Sequence, residues 1–196
     1  MLKVVITGPE STGKSTLASA LSTHFNAVLS EEYAREYLET KLALQKLEKN
    51  IEGSSSYDET DFYQMFLGQK NNKKKAFETA KAMGNFIICD TDALTFHIWY
   101  QEVFKNSDNN LINAIDFLKE SSVFKEISSI YLLCSPEGIV WQPDPLRENP
   151  NDRGRLFDIY EKALVENQKT YFILRGGKEQ RFEEAVKIIN SLLKNE

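Results

Sequence analysis

Gly8-Pro-Glu-Ser-Thr-Gly13-Lys14-Ser15 follows directly on the apolar run Leu2 to Thr7 and leads directly into a helix-forming stretch from Lys14 to about Phe25. It matches G-x-x-x-x-G-K-[ST] in full, in the strand, loop and helix setting that this pattern requires. Gly8 and Gly13 allow backbone angles and a close approach that a Cβ would block, so successive N–H groups can turn inward onto phosphate oxygens. Lys14 adds a point charge near the β and γ phosphates of ATP, and Ser15 offers its hydroxyl to Mg²⁺. The helix that begins there directs the positive end of its dipole at the anion. Glu10, Ser11, Thr12 and Thr16 are assigned to the nucleotide together with these four.

Outward from this loop, periodicity predicts alternating strands and helices. Strands are expected at Leu2–Thr7, Asn26–Ser30, Phe86–Cys89, Ser129–Cys134 and Thr170–Leu174. Helices are expected through Tyr33 to Leu44, from about Glu59 to Met83, in one or two pieces after Asp92, and from Glu179 to Leu193. Asn50 to Tyr57, rich in Ser and Gly, reads as a loop, and Asn71-Asn-Lys-Lys-Lys75 as a solvated helix face. The fold class is therefore α/β: a P-loop NTPase with a parallel five-stranded sheet, helices on both faces, and a ligand crevice at the carboxyl ends of the strands. One domain is expected over 1–196, nucleoside-kinase-like, with the Pro-, Asn- and Arg-rich stretch at about 142–156 as its lid.

Composition narrows the function classes. The 196 residues, 41% hydrophobic and 27% charged, fit a single soluble domain, and the net charge of -5 argues against nucleic acid or a membrane surface as partner. Cys89 and Cys134 each sit in an apolar run and read as core residues. The chain reaches a Gly-Pro turn within its first ten residues, so no signal peptide is expected and the expected location is cytoplasmic. The guanine-selecting Asn-Lys-x-Asp motif is absent, and the length leaves no room for the sensor and lid domains of a motor. A small-molecule kinase, with a small-molecule substrate as its partner, is the simple remaining reading.

The other candidate site residues lie at strand ends. In Asp90-Thr91-Asp92, Asp90 is assigned to Mg²⁺, while Asp92 either faces the acceptor or caps the next helix. In Glu31-Glu32-Tyr33-Ala34-Arg35, Glu32 is assigned as the base, Glu31 and Asp92 being the other acids that can orient the acceptor hydroxyl, with Tyr33 or Arg35 on sugar or phosphate; the alternative is a helix start enriched in acids by its dipole. Arg147, Arg153 and Arg155 can close over the triphosphate, Arg147 and Arg153 ahead of Arg155, with Arg153 assigned to the transferring phosphoryl group. Trp99 and Trp141, the only two tryptophans, either stack on a flat base, where a cationic ring would gain further, or serve packing.

Gly8 to Thr16, Glu32-Tyr-Ala-Arg-Glu36, Gly68-Gln69, Asp90-Thr91-Asp92 with Trp99, and the segment from Trp141 through Arg147 to Arg153 together resemble the ribosylnicotinamide kinase domain of bifunctional NAD-biosynthesis regulators, within the wider AAA-domain group. The resemblance implies ATP-dependent phosphorylation of the 5′-hydroxyl of nicotinamide riboside. It also implies an acceptor set against Trp99, Asp92 and the Tyr33 to Arg35 turn. Two rivals keep the ATP site: a kinase of another nucleoside or vitamin, and a regulatory ATP-binding or ATPase module without a metabolite acceptor.

Overall fold

Leu2–Thr7, apolar except at Lys3 and Thr7, forms β1, buried along its whole length at the centre of the sheet. A computed structural model describes residues 1–49, 57–104, 128–144, 146 and 151–194. Its elements are β1, α1 (Lys14–Phe25), β2 (Val28–Ser30), α2 (Tyr33–Lys49), α3 (Glu59–Met83), β3 (Ile87–Asp90), α4 (Ala93–Val103), β4 (Ser128–Cys134), α5 (Arg153–Glu166), β5 (Thr170–Leu174) and α6 (Lys178–Leu193). The five strands are all parallel in the order β2-β3-β1-β4-β5, so the chain passes from central β1 to the edge strand β2, returns to β3 between them, then crosses to β4 and the other edge, β5. This is the architecture expected from the alternation of strand and helix signals.

Side chains of a strand alternate between faces, and β1 divides the core accordingly. Leu2, Val4 and Ile6 pack with Leu17, Ala18 and Leu21 of α1 and Ala185 and Ile189 of α6. Val5 lies on the other face with Ile87, Cys89, Tyr131 and Leu133, covered by Ala80 of α3, Ile98 of α4 and Leu164 of α5. A third cluster, with Leu38, Phe62, Phe66, Phe96 and Tyr100, joins α2, α3 and α4 beside the sheet. Both cysteines are buried and free, and burial pushes each thiol up to about 11.

Element ends differ from the expected ones for local reasons. β2 starts at Val28 because Asn26, with φ 49, is the left-handed cap of α1 and Ala27 N–H closes that helix on the Ser22 carbonyl. β3 extends to Asp90, which pairs in register with Ile6. α3 begins in a capping box between Asp58 and Asp61 and stops at Gly84, φ 61. Lys73, expected on a solvated face, is buried. The expected lid stretch is already helical at Arg153, the first residue of α5. The loop expected at Asn50 to Tyr57 lies outside the described residues except for Tyr57, and so does Arg147.

Candidate active site

The crevice at the carboxyl ends of the strands is a cleft of about 550 Å³, with residues 8–16 as its floor. Gly8 has φ 131, and a Cβ there would stand 2.7 Å from the Cys134 carbonyl oxygen, so β1 can turn into the loop only through glycine. Gly13, φ 81, occupies the N-cap of α1 and brings no capping side chain, and the first turn of that helix holds no acid. Donors that a Ser or Asp cap would consume are thereby left for an anion. The loop's carbonyls are engaged within the protein: Pro9 O accepts from Thr12 Oγ1 (2.8 Å) and Lys14 Nζ (2.8 Å), Ser11 O from Arg153 Nη1 (3.2 Å), and Gly13 O from Leu17 N (3.0 Å).

Asp90 ends β3 beside α1, and its carboxylate accepts a hydrogen bond from the Ser15 hydroxyl. Burial pushes this carboxyl above the ordinary aspartate range, against the pull of the Ser15 bond and the Lys14 charge. Its Oδ1 is buried without a hydrogen-bond partner. An orphaned carboxylate oxygen next to a hydroxyl fits Mg²⁺, a hard cation that takes one or two protein oxygens and completes its shell with phosphate and water. Among the described residues no cluster of three or more His, Cys, Asp or Glu could hold a metal by itself.

Asp92 is placed differently from the acceptor-facing alternative. Its Oδ1 accepts from Leu94 N (3.0 Å), capping α4, and its Oδ2 accepts from the Tyr131 hydroxyl (2.7 Å) and lies 3.7 Å from Lys3 Nζ. All three groups are buried, and Asp92 is not part of the cleft wall. The cause is Thr91, a β-branched residue at φ 69. In a continuing strand, Asp90 and Asp92 would share a face; the left-handed step sends Asp90 to the α1 side and Asp92 to the Tyr131 side. Thr91 itself lines the cleft, is 1% exposed, and keeps a buried hydroxyl without a partner.

Glu32 and Arg35 line the cleft, and Arg35 pairs with Asp144 (3.0 Å) and Glu39 (3.3 Å). Tyr33 does not line it. Its ring fills the space where a Cβ on Gly68 would stand, and its N–H donates to Gln69 Oε1 (2.8 Å), so this group joins α2 to α3. Trp99 lines the cleft with Tyr57, whose hydroxyl accepts from Trp99 Nε1 (2.9 Å). Trp141 is outside the wall, its ring beneath the Arg153 guanidinium at 5.7 Å. Arg153 is outside it as well, its Nη1 directed at the Ser11 and Ile139 carbonyls rather than into the cleft. Arg155, the arginine ranked last from sequence, lines the cleft and pairs with Glu102 (2.7 Å).

Tyr57, Thr91, Glu102 and Tyr160 are lining residues that the sequence reading did not single out. Only Glu102 carried a signal, its position one helical turn after Trp99.

A model of the AAA-domain family matches residues 3–181. Among solved structures, NadR protein in complex with NR aligns at a TM-score of 0.65 with 22% identity, over 97% of this chain and 51% of that one. The present chain thus spans about half the length of that protein. Thymidylate kinase from Ehrlichia chaffeensis aligns at 0.57 with 14% identity, over 96% and 98% of the two chains. Deoxyadenosine kinase from M. mycoides with bound dATP aligns at 0.55 with 16% identity, over 96% and 100%. No curated protein matches. These likenesses show a P-loop fold of the nucleoside-kinase type, in agreement with the resemblance read from the motifs.

Proposed function

The chain belongs to the AAA-domain family, and from that premise we propose that it is an ATP-dependent kinase that phosphorylates the 5′-hydroxyl of nicotinamide riboside to give nicotinamide mononucleotide. One observation carries this reading: the phosphate loop and an apolar, aromatic wall of Leu38, Tyr57, Ile98 and Trp99 line the same cleft, with Glu32 and Arg35 also on its wall. A donor triphosphate and a flat acceptor base therefore have walls of the right chemistry in one cavity. Trp99 lines this wall with its indole N–H bonded to Tyr57 and its ring packed against Tyr57, Phe62 and Phe96, and a cationic pyridinium beside it gains from the indole π-system. The fold likeness to NadR in complex with NR supports the choice of acceptor.

In this mechanism the N–H groups of residues 10–15 and the Lys14 ammonium hold the β and γ phosphates. Ser15 and Asp90 would hold Mg²⁺, which when bound neutralises charge on the β and γ oxygens. Glu32 accepts a hydrogen bond from the acceptor hydroxyl and orients it in line. The hydroxyl oxygen bonds to the γ phosphorus as the bond to the β–γ bridging oxygen breaks; ADP leaves with that electron pair and the hydroxyl proton passes to Glu32. Most of the acceleration is positioning and charge stabilisation. A second reading, a kinase of another nucleoside, is favoured by the likeness to deoxyadenosine kinase over that chain's whole length.

The test is ATP consumption with Mg²⁺, alone and with nicotinamide riboside or a panel of nucleosides, the product identified by mass and Lys14→Ala as control. Nicotinamide mononucleotide formed by the wild type and not by the variant is the expected result. A different phosphorylated nucleoside selects the second reading, and acceptor-independent hydrolysis overturns both.

A further inference from the structure

Arg181, on the first turns of α6, is 2% exposed, yet no ion pair joins it to a carboxylate among the described residues. Its donors instead reach four main-chain carbonyls: Nε to Gly176 O (2.8 Å), Nη1 to Thr12 O (2.9 Å), and Nη2 to Ser135 O (2.6 Å) and Glu137 O (2.7 Å). A buried guanidinium without a counter-charge is costly, and burial holds its pKa below the ordinary arginine value. Three of these carbonyls belong to the turns after β4 and β5, and the fourth belongs to the phosphate loop.

The Thr12 carbonyl and the Gly13 N–H lie in one trans peptide plane and point in opposite directions. With the carbonyl drawn back onto Arg181, the Gly13 N–H is aimed forward, at the N-cap of α1 where the loop lines the cleft. We propose that Arg181 is a positioning residue for phosphoryl transfer: its fork, braced on Ser135 and Glu137, presets the Thr12–Gly13 peptide so that its N–H meets the phosphates of the nucleotide. The triphosphate also supplies the negative charge that the buried guanidinium lacks. This rests on the ATP-dependent kinase reading above. Arginine is required because an ammonium has three donors on one centre and cannot span four carbonyls in a fixed fork.

The experiment compares Arg181→Lys and Arg181→Met with the wild type in direct binding of inorganic tripolyphosphate, MgATP and the acceptor nucleoside, alongside thermal unfolding and steady-state kinetics. Arg181→Lys is expected to weaken tripolyphosphate and MgATP about tenfold, the worth of one charge-assisted hydrogen bond, to raise KM for ATP, and to leave acceptor affinity within twofold. Arg181→Met is expected to lose more of the same two ligands. Equal losses for phosphate ligands and acceptor, or a folded Arg181→Lys protein with unchanged tripolyphosphate affinity, overturn the proposal.

Should both variants fail to fold, the wild type decides: the side-chain Nε–H resonance of Arg181 and the amide of Gly13 must shift together on adding tripolyphosphate and stay still on adding nucleoside, and independent shifts overturn the proposal. Wild-type protein that binds tripolyphosphate through this link but phosphorylates no acceptor refutes the kinase reading alone.

Discussion

Replacing Asp92 by alanine separates a structural carboxylate from a substrate-binding one. The side chain, 4% exposed, caps α4, accepts from the Tyr131 hydroxyl, and is the buried counter-charge 3.7 Å from Lys3. Losing a cap costs about 1 kcal/mol, and a hydrogen bond to a charged acceptor about 1.5–3 kcal/mol. Removing one partner of a buried pair costs about 3–5 kcal/mol. The three overlap in one network, so the expected total is about 3–5 kcal/mol and not their sum. For a domain of this size that corresponds to roughly 6–20 °C in Tm. Urea unfolding gives the free energy; kinetics well below the transition give KM for the acceptor, expected to change less than twofold. Tyr131→Phe, which removes only the hydrogen bond to this charged acceptor, should cost about 1.5–3 kcal/mol. An Asp92→Ala protein within 1 kcal/mol of wild type whose acceptor KM rises tenfold would refute the reasoning and return Asp92 to the substrate.

Gly8→Ala places a Cβ 2.7 Å from a main-chain oxygen at φ 131, and is expected to cost about 2 kcal/mol or more and to abolish tripolyphosphate binding, read by thermal unfolding and calorimetry. Asp90→Asn should stabilise the protein at neutral pH while eliminating phosphoryl transfer. Because the folded carboxyl titrates above its ordinary value, the native state binds more protons than the unfolded one between the unfolded and folded pKa. Stability is therefore lost as pH rises through that window. The advantage of the Asn variant should accordingly grow with pH through the window and vanish below the unfolded value, as unfolding midpoints across a pH series will show; a pH-independent difference would contradict this.

Much of the fold was legible because it rests on local rules. An apolar run bounded by Gly8 can only be a buried strand entering a turn, and α3 is delimited by signals within its own sequence, the Asp58–Asp61 box and Gly84. The nucleotide end of the cleft was legible for the same reason: the residues from Gly8 to Thr16 all line it, and their spacing alone sets the backbone angles they need. The rest of the cleft wall depends on packing between distant segments. Trp99 reached the wall, whereas Trp141 lies beneath Arg153, a contact between segments that sequence spacing does not encode.

By itself the sequence determined the five strands, the helices other than α5 (Arg153–Glu166), and the phosphate-loop motif, since periodicity, glycine sterics and capping act within a few residues of chain. Tertiary structure alone decided which functional groups face the cleft. The left-handed Thr91 parts Asp90 from Asp92, although their i, i+2 spacing reads as one face. Arg181 reaches Thr12 across 169 residues of chain, because a buried guanidinium must satisfy its donors with whatever carbonyls the packed turns present. Both outcomes follow from long-range burial and hydrogen-bond satisfaction, which no local pattern carries.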